Sequence, residues 1–402
     1  MPPVPAALLP RGFTFSAAAC GLKKSGLDLG LIVSEIPAAA ACLFTTNCAK
    51  AAPVLLSRSH MRRAASRMRA IIVNSGNANC ATGAAGLAAS RRTAEVTARE
   101  AGCRPEQIIV CSTGVIGVPL AVEKILKAVP NMLEVRAGSS ALFQQLIRAI
   151  MTTDTRPKWA SASCSIAGKR VRLLGCAKGA GMIHPQMATM LAFIATDATV
   201  SANVLRRALR AAAAKTFNAI TVDGDTSTND TLAALANGAS GARKMRNGSN
   251  DYRKFEAALE KVCRSLALQI VQDGEGAMRL VEVVVRGATS ERVAERIALT
   301  IANSPLVKTA ISGADPNWGR ILAAAGRAGV RFDSSRVEIS MAGIRMCSKG
   351  SALPFNERAA HRRLLGKQIP IAVDLHSGKA TARVWTCDLT EDYVRINASY
   401  RS

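Results

Sequence analysis

Threonine 189 stands where a hydroxyl and an amine can come to share one residue. The stretch from Cys176 to Val200, CAKGAGMIHPQMATMLAFIATDATV, joins a glycine-rich loop (Gly175, Gly179, Gly181) to Pro185 and then to small and apolar residues. Met190 to Ala195 has the length and character of a buried strand, and Asp197 closes it. At the head of such a strand a threonine is ordinarily just a good strand former. Here its neighbour Ala188 is small, so the Thr189 hydroxyl can approach the Ala188 carbonyl. Cutting that bond makes Thr189 an N-terminus carrying both nucleophile and α-amine. A free α-amine titrates at about 7.7–8.0, so it can act as base for its own hydroxyl.

Further polar, glycine-bearing words are spread along the chain. NSGNAN, STGVIG, MTTDTRPK, KGAGM, ATMLAFIATDA, DGDTSTNDT, DGEGA, GADPNWGRI and the closing DYVRINASYRS follow one another in that order. Any one of them is weak. Together, from about Gly12 to Ser402, they resemble the ornithine acetyltransferase family (arginine-biosynthesis bifunctional proteins, glutamate N-acetyltransferases), whose members cut themselves to expose an N-terminal threonine.

The resemblance implies a cut between Ala188 and Thr189, giving chains 1–188 and 189–402. Thr189 is then the nucleophile and a substrate contact, and Thr113 and Gly114 form the oxyanion pair. Gly114 lets backbone N–H groups face a substrate without a Cβ in the way, and the Thr113 hydroxyl is a further donor. In isolation STG reads better as a strand-to-helix turn. Thr153, Lys178, Glu275, Asn397 and Ser402 match substrate-binding positions. Lys178 suits an α-carboxylate and Glu275 a side-chain ammonium.

The implied reaction is ping-pong: acetyl passes from N2-acetylornithine to Thr189 and then to glutamate. It needs no metal or organic cofactor. In some members of the family acetyl-CoA serves as a co-substrate for glutamate acetylation. The family also implies a heterotetramer of two copies of each fragment. Gln186, Met278, Arg279 and Ser402 depart from the commoner Asn, Thr, Lys and Thr, and none removes a named chemical group.

Three other readings remain open on the residues. Water as acceptor would make an N-terminal-threonine amidohydrolase or aminopeptidase, and a different acceptor a secondary-metabolite acetyltransferase. The net charge of +25 admits, more remotely, a nucleic-acid-binding protein. Against that last reading, basic residues are scattered, and the densest run (Arg62, Arg63, Arg67, Arg69) lacks aromatics for base stacking. Neither nucleic acid nor membrane is expected as a partner. No apolar run reaches the roughly 18 residues of a membrane span, and the N-terminus has no signal-peptide pattern, so cytoplasm is the default. Eleven cysteines with no CxxC pair and four scattered histidines argue against zinc.

The elements that must hold these words read as an α/β layered sandwich, resembling N-terminal-nucleophile-like folds, with a smaller C-terminal part from about residue 280. Strands are expected at Leu31–Ser34 and Cys42–Thr46 with Pro37 in a turn between them, and at 70–73, 107–111, 170–174 and 190–195. Later strands are expected at 281–285, 337–341, 371–375 and 382–387. Helices are expected over 84–101, through most of 121–150, and after caps at Ser201, Asp251 and Ser290. Val222 to Thr231 and Gly313 to Arg320 read as loops.

Overall fold

The computed structural model describes residues 4–184 and 190–399. Its first sheet has eight strands: β1 (Phe13–Ala18), β2 (Leu29–Phe44), β3 (Met68–Asn74), β4 (Ile108–Ser112), β5 (Lys158–Ile166), β6 (Lys169–Lys178), β7 (Leu191–Thr196) and β8 (Thr231–Ala236). Their order is β4-β3-β2-β8-β7-β6-β5, with β1 also paired to β2. The pairs β3–β4 and β7–β8 are parallel and the others antiparallel.

Both faces of this sheet are covered, which is why its central strands carry unbroken apolar runs and no polar alternation. Every residue of β7 (LAFIAT) and β8 (TLAALA) is buried. Ala192, Ile194, Leu232 and Ala234 join one core cluster, with α5 (Ala202–Ala214) and α6 (Asn250–Gln272). Leu191, Phe193, Ala233 and Leu235 point the other way, toward α4 (Ser140–Ile150). There Phe143 meets Phe15 edge to face, ring centres 5.0 Å apart. Helices α1 (Ala52–Ala64) and α2 (Gly83–Glu100) pack on β4, and α3 (Val122–Glu134) packs on α2 and β1.

A second sheet begins at Leu280: β9 (Leu280–Ala288), β10 (Glu338–Met341), β11 (Ile344–Ser348), β12 (Ser351–Ala352), β13 (Gln368–Asp374) and β14 (Ala380–Cys387), ordered β12-β11-β10-β13-β9-β14. Its core is closed by α7 (Glu291–Ala302), α8 (Pro305–Ser312), α9 (Trp318–Gly326) and α10 (Glu357–Leu364). The final helix, α11 (Glu391–Ser399), buries no residue fully.

Several expectations are corrected. Leu31–Ser34 and Cys42–Phe44 are parts of one strand, β2, with no turn at Pro37, and Thr45 and Thr46 lie beyond its end. Pro37 falls where β2's ladder with β3 shifts register, between Val33 and Ala38, so no ladder hydrogen bond asks for its missing N–H. Gly175 is not in a loop: it lies inside β6, which runs on to Lys178, and it faces Val262 and Leu266 of α6. The cap of α6 is Ser249, whose hydroxyl accepts the Tyr252 N–H at 3.1 Å, and Asp251 falls inside the first turn. The polar run from Val222 ends at Asp230, because Thr231 opens β8, a strand whose alanines hid it. Trp318 starts α9 within the GADPNWGR word, with Asn317 as its cap.

Phe143→Ala should destabilise the protein by about 3–5 kcal/mol, since it empties a well-packed site beneath β1 and β2. Chemical denaturation followed by near-ultraviolet circular dichroism reads that loss; a change below about 1 kcal/mol would show that this layer is not a packed core.

Candidate functional site

Most of the polar words converge at one end of the first sheet, while GADPNWGRI lies apart, against α10. A cavity there is lined by Thr113, Gly114, Thr152, Thr153, Lys178, Ser227, Asn229, Glu275 and Asn397, with Ala78, Ile116, Gly181, Met182 and Thr228 completing the wall. All expected site residues among the described ones therefore meet: Thr113, Gly114, Thr153, Lys178, Glu275 and Asn397. Ala188, Thr189 and Ser402 lie outside the described residues. Their sequence neighbour Met190 enters β7 with its N–H donated to Asp230 Oδ1 at 2.7 Å and its carbonyl accepting the Thr231 N–H.

Thr113 and Gly114 follow the end of β4. The Thr113 N–H is donated to the Asn74 carbonyl at 2.9 Å, which ties STGVIG to NSGNAN. Gly114 has φ +131°, and a Cβ on it would lie 2.3 Å from the Gly76 carbonyl carbon and 2.5 Å from the Asn77 nitrogen. Only glycine fits. Among the described residues, no acceptor takes the Gly114 N–H. Asn229 braces the same wall from the other side, donating to the carbonyls of Ala78 (2.6 Å) and Ser112 (2.8 Å).

Lys178, the last residue of β6, is buried, and its Nζ donates to Thr113 Oγ1 at 3.1 Å. Burial pulls its pKa down, and Lys158 adds to this. Asp154, Asp230 and Glu275 oppose it.

The loop carrying Thr153 is fixed by a buried charge cluster. Asp154 accepts the N–H groups of Thr152 (3.0 Å) and Gly179 (2.7 Å), so it binds MTTDT to KGAGM. Lys158 Nζ, 1% exposed, bridges Asp154 (2.6 Å) and Asp273 (2.5 Å). Asp273 also accepts from the Thr155 hydroxyl and N–H, and it opens the DGEG turn that presents Glu275. Burial works to raise the Asp154 pKa, but the Lys158 and Lys178 charges and the Gly179 N–H outweigh it and hold it at about 2.

The C-terminal helix closes the far side. Asn397 donates to Glu275 Oε2 at 2.8 Å, and Thr390 donates to the Gly276 carbonyl at 2.7 Å. Gly276, at φ +69°, lets α11 approach: a Cβ there would lie 2.6 Å from the Tyr393 nitrogen. The Tyr393 hydroxyl donates to Asp223 (3.4 Å), which accepts the Met182 (2.5 Å) and Ile183 (2.9 Å) N–H groups. Burial raises the pKa of Asp223 despite those donors.

Asp154, Lys158, Asp223, Asn229, Asp230 and Asp273 were not singled out from the sequence. Each lies inside a polar word already noted, and for the four aspartates a carboxylate flanked by turn formers was the available signal.

Fold and site define a layered α/β protein with a small-molecule cavity, lined by donors on one side and a carboxylate on the other, suited to acyl chemistry. Residues 14–402 match the model of the ArgJ family. An arginine biosynthesis bifunctional protein ArgJ from Geobacter sulfurreducens is 48% identical over 394 residues, covering 98% of this chain and 99% of its own. Its counterpart from Symbiobacterium thermophilum is 46% identical over 399 residues, covering 98% of each. A solved chain of the Bacillus halodurans ArgJ protein is 44% identical, covers 53% of this chain and 100% of its own, and has a TM-score of 0.52. The chain belongs to the ArgJ family.

Because the Asp154 pKa lies below its ordinary 3.8 when folded, the cluster's stabilisation is complete above 3.8 and is lost as pH falls toward about 2. Lys158→Met should cost about 3–5 kcal/mol at neutral pH, since two buried carboxylates lose their shared cation. Urea denaturation of both proteins at pH 7 checks this; equal midpoints would show that the cluster is solvated.

Proposed function

We propose that this enzyme moves an acetyl group from N2-acetylornithine to glutamate, after cutting itself between Ala188 and Thr189. The observation that carries the reading is the meeting of Thr113, Gly114, Thr153, Lys178, Glu275 and Asn397, drawn from distant parts of the chain, around one cavity. The Thr189 hydroxyl attacks the acetyl carbonyl while its own α-amine takes the proton. The oxygen that gains charge is received by the Thr113 hydroxyl and the uncommitted Gly114 N–H. Ornithine leaves, with Lys178 suited to its carboxylate and Glu275, supported by Asn397, to its side-chain ammonium. Glutamate then attacks the acetyl-threonine and departs as N-acetylglutamate. These steps call on no metal or organic cofactor; acetyl-CoA as a second acetyl source is part of the proposal for a family whose relatives are called bifunctional.

The fold gives the two fragments reason to stay together. Strands β7 and β8 come after the cut, yet they lie between β2 and β6, which come before it. Fragments 1–188 and 189–402 would thus share one sheet. The Bacillus halodurans chain, matched over 100% of its own length, covers 53% of this one, in keeping with a family chain that is divided. Assembly into two copies of each fragment and a cytoplasmic location belong to the proposal as well; among the described residues no helix is long and apolar enough to cross a membrane.

Intact-mass spectrometry of the purified protein should show two fragments divided before Thr189, co-eluting until denaturant is added. Thr189→Ala should remain one uncut, inactive chain. Thr113→Val, which removes the hydroxyl donor, should lower kcat by about 10²–10³. Acetate released from N2-acetylornithine at a rate indifferent to glutamate would replace transfer with hydrolysis.

A further inference from the structure

The contact between Lys178 and Thr113 assigns the lysine a task besides meeting a carboxylate. Its Nζ lies 3.1 Å from Thr113 Oγ1, and both side chains are buried. An ammonium offers three N–H donors and no acceptor. The threonine oxygen must therefore accept, and its own proton has to point elsewhere. Among the described residues no acceptor takes that proton, and Thr113 and Gly114 line the same cavity wall. The Thr113 backbone is fixed by its N–H bond to Asn74, so rotation of the hydroxyl is the freedom that the lysine removes.

We infer that Lys178 is a positioning residue for the oxyanion donor: by donating to Thr113 Oγ1 it turns the hydroxyl proton into the cavity and makes it a stronger donor. This rests on the acetyl-transfer reading above and divides its labour further. A lysine that only bound a substrate carboxylate would act on affinity. A lysine that sets the Thr113 proton acts on the rate of the acyl step, because charge develops on the oxygen only there.

The charge of the lysine matters for the same reason. Asp154 and Lys158 face it from the loop before β5 and from β5, Asp230 from the start of β8, Glu275 from the turn after α6, and Lys23 from the loop after β1. Burial dominates and lowers the lysine's pKa below its ordinary 10.5. As pH rises through that lowered value, the ammonium becomes an amine that can accept the Thr113 proton. The donor then turns away from the cavity, and acylation slows.

The test is a double-mutant cycle on self-cleaved protein. It reads the single-turnover rate at which N2-acetylornithine acetylates the enzyme, in wild type, Thr113→Val, Lys178→Met and the double variant. Thr113→Val is expected to lose about 10²–10³ in rate, and the double variant should be no slower than Thr113→Val alone. Losses that multiply would overturn the inference and leave Lys178 as a carboxylate ligand. Should Lys178→Met fail to fold or to cut itself, the alkaline limb decides. Wild type should lose acylation rate on the alkaline side and Thr113→Val should not. An alkaline fall kept by Thr113→Val would overturn the inference. Wild type that never becomes acetylated would instead refute acetyl transfer itself, a separate outcome.

Discussion

Lys158 Nζ lies between the carboxylates of Asp154 and Asp273, and the cavity at the end of the first sheet stands on that buried contact. An uncompensated charge is costly to bury, so the three groups must keep their geometry or lose one another's stabilisation together. Asp154 also holds the amides of Thr152 and Gly179, while Asp273 holds Thr155 and opens the turn to Glu275. Three segments far apart in sequence are thereby held in one arrangement, and they carry Thr153, Lys178 at the end of β6, and Glu275. The cavity's cation and carboxylate stay apart because each belongs to a different arm of this cluster.

The sheet above it explains how a chain can be cut in its middle and keep its shape. Central strands β7 and β8 are buried on both faces, pair with each other, and are each bonded on the outer edge to a strand from before the proposed cut. Breaking one peptide bond at the head of β7 removes none of those ladders. Asp230 holds the Met190 N–H at that strand's entrance, so the backbone just after the cut is tethered to β8 and does not depend on what precedes it. Stability resides in the sheet, and the words that do chemistry hang from its end.

What could be read from residues alone follows this division. Words such as STGVIG and KGAGM are dense in glycine and turn formers, and they announce backbone exposed to a ligand; the residues named in them do meet. Strand β8 was missed because TLAALA has no alternation and alanine favours no strand, and only burial on both faces makes it one. Pro37 read as a turn because the local signal is real, yet the register shift in β2 absorbs it. The brace of Asp154, Lys158 and Asp273 was out of reach for another reason. Its members lie up to 119 positions apart, and a lysine bridging two aspartates has no local pattern. Lys178 read as a carboxylate ligand because its contact with Thr113 spans 65 positions.

In the proposed mechanism the acetyl group rests on the hydroxyl of residue 189 between donor and acceptor. Wild-type protein incubated with N2-acetylornithine alone, quenched in acid and digested, should yield the peptide beginning at Thr189 heavier by one acetyl group. That label should vanish when glutamate is added and reappear in N-acetylglutamate. Transfer to glutamate at full rate with the peptide never labelled, or with residues 188 and 189 still joined, would contradict it.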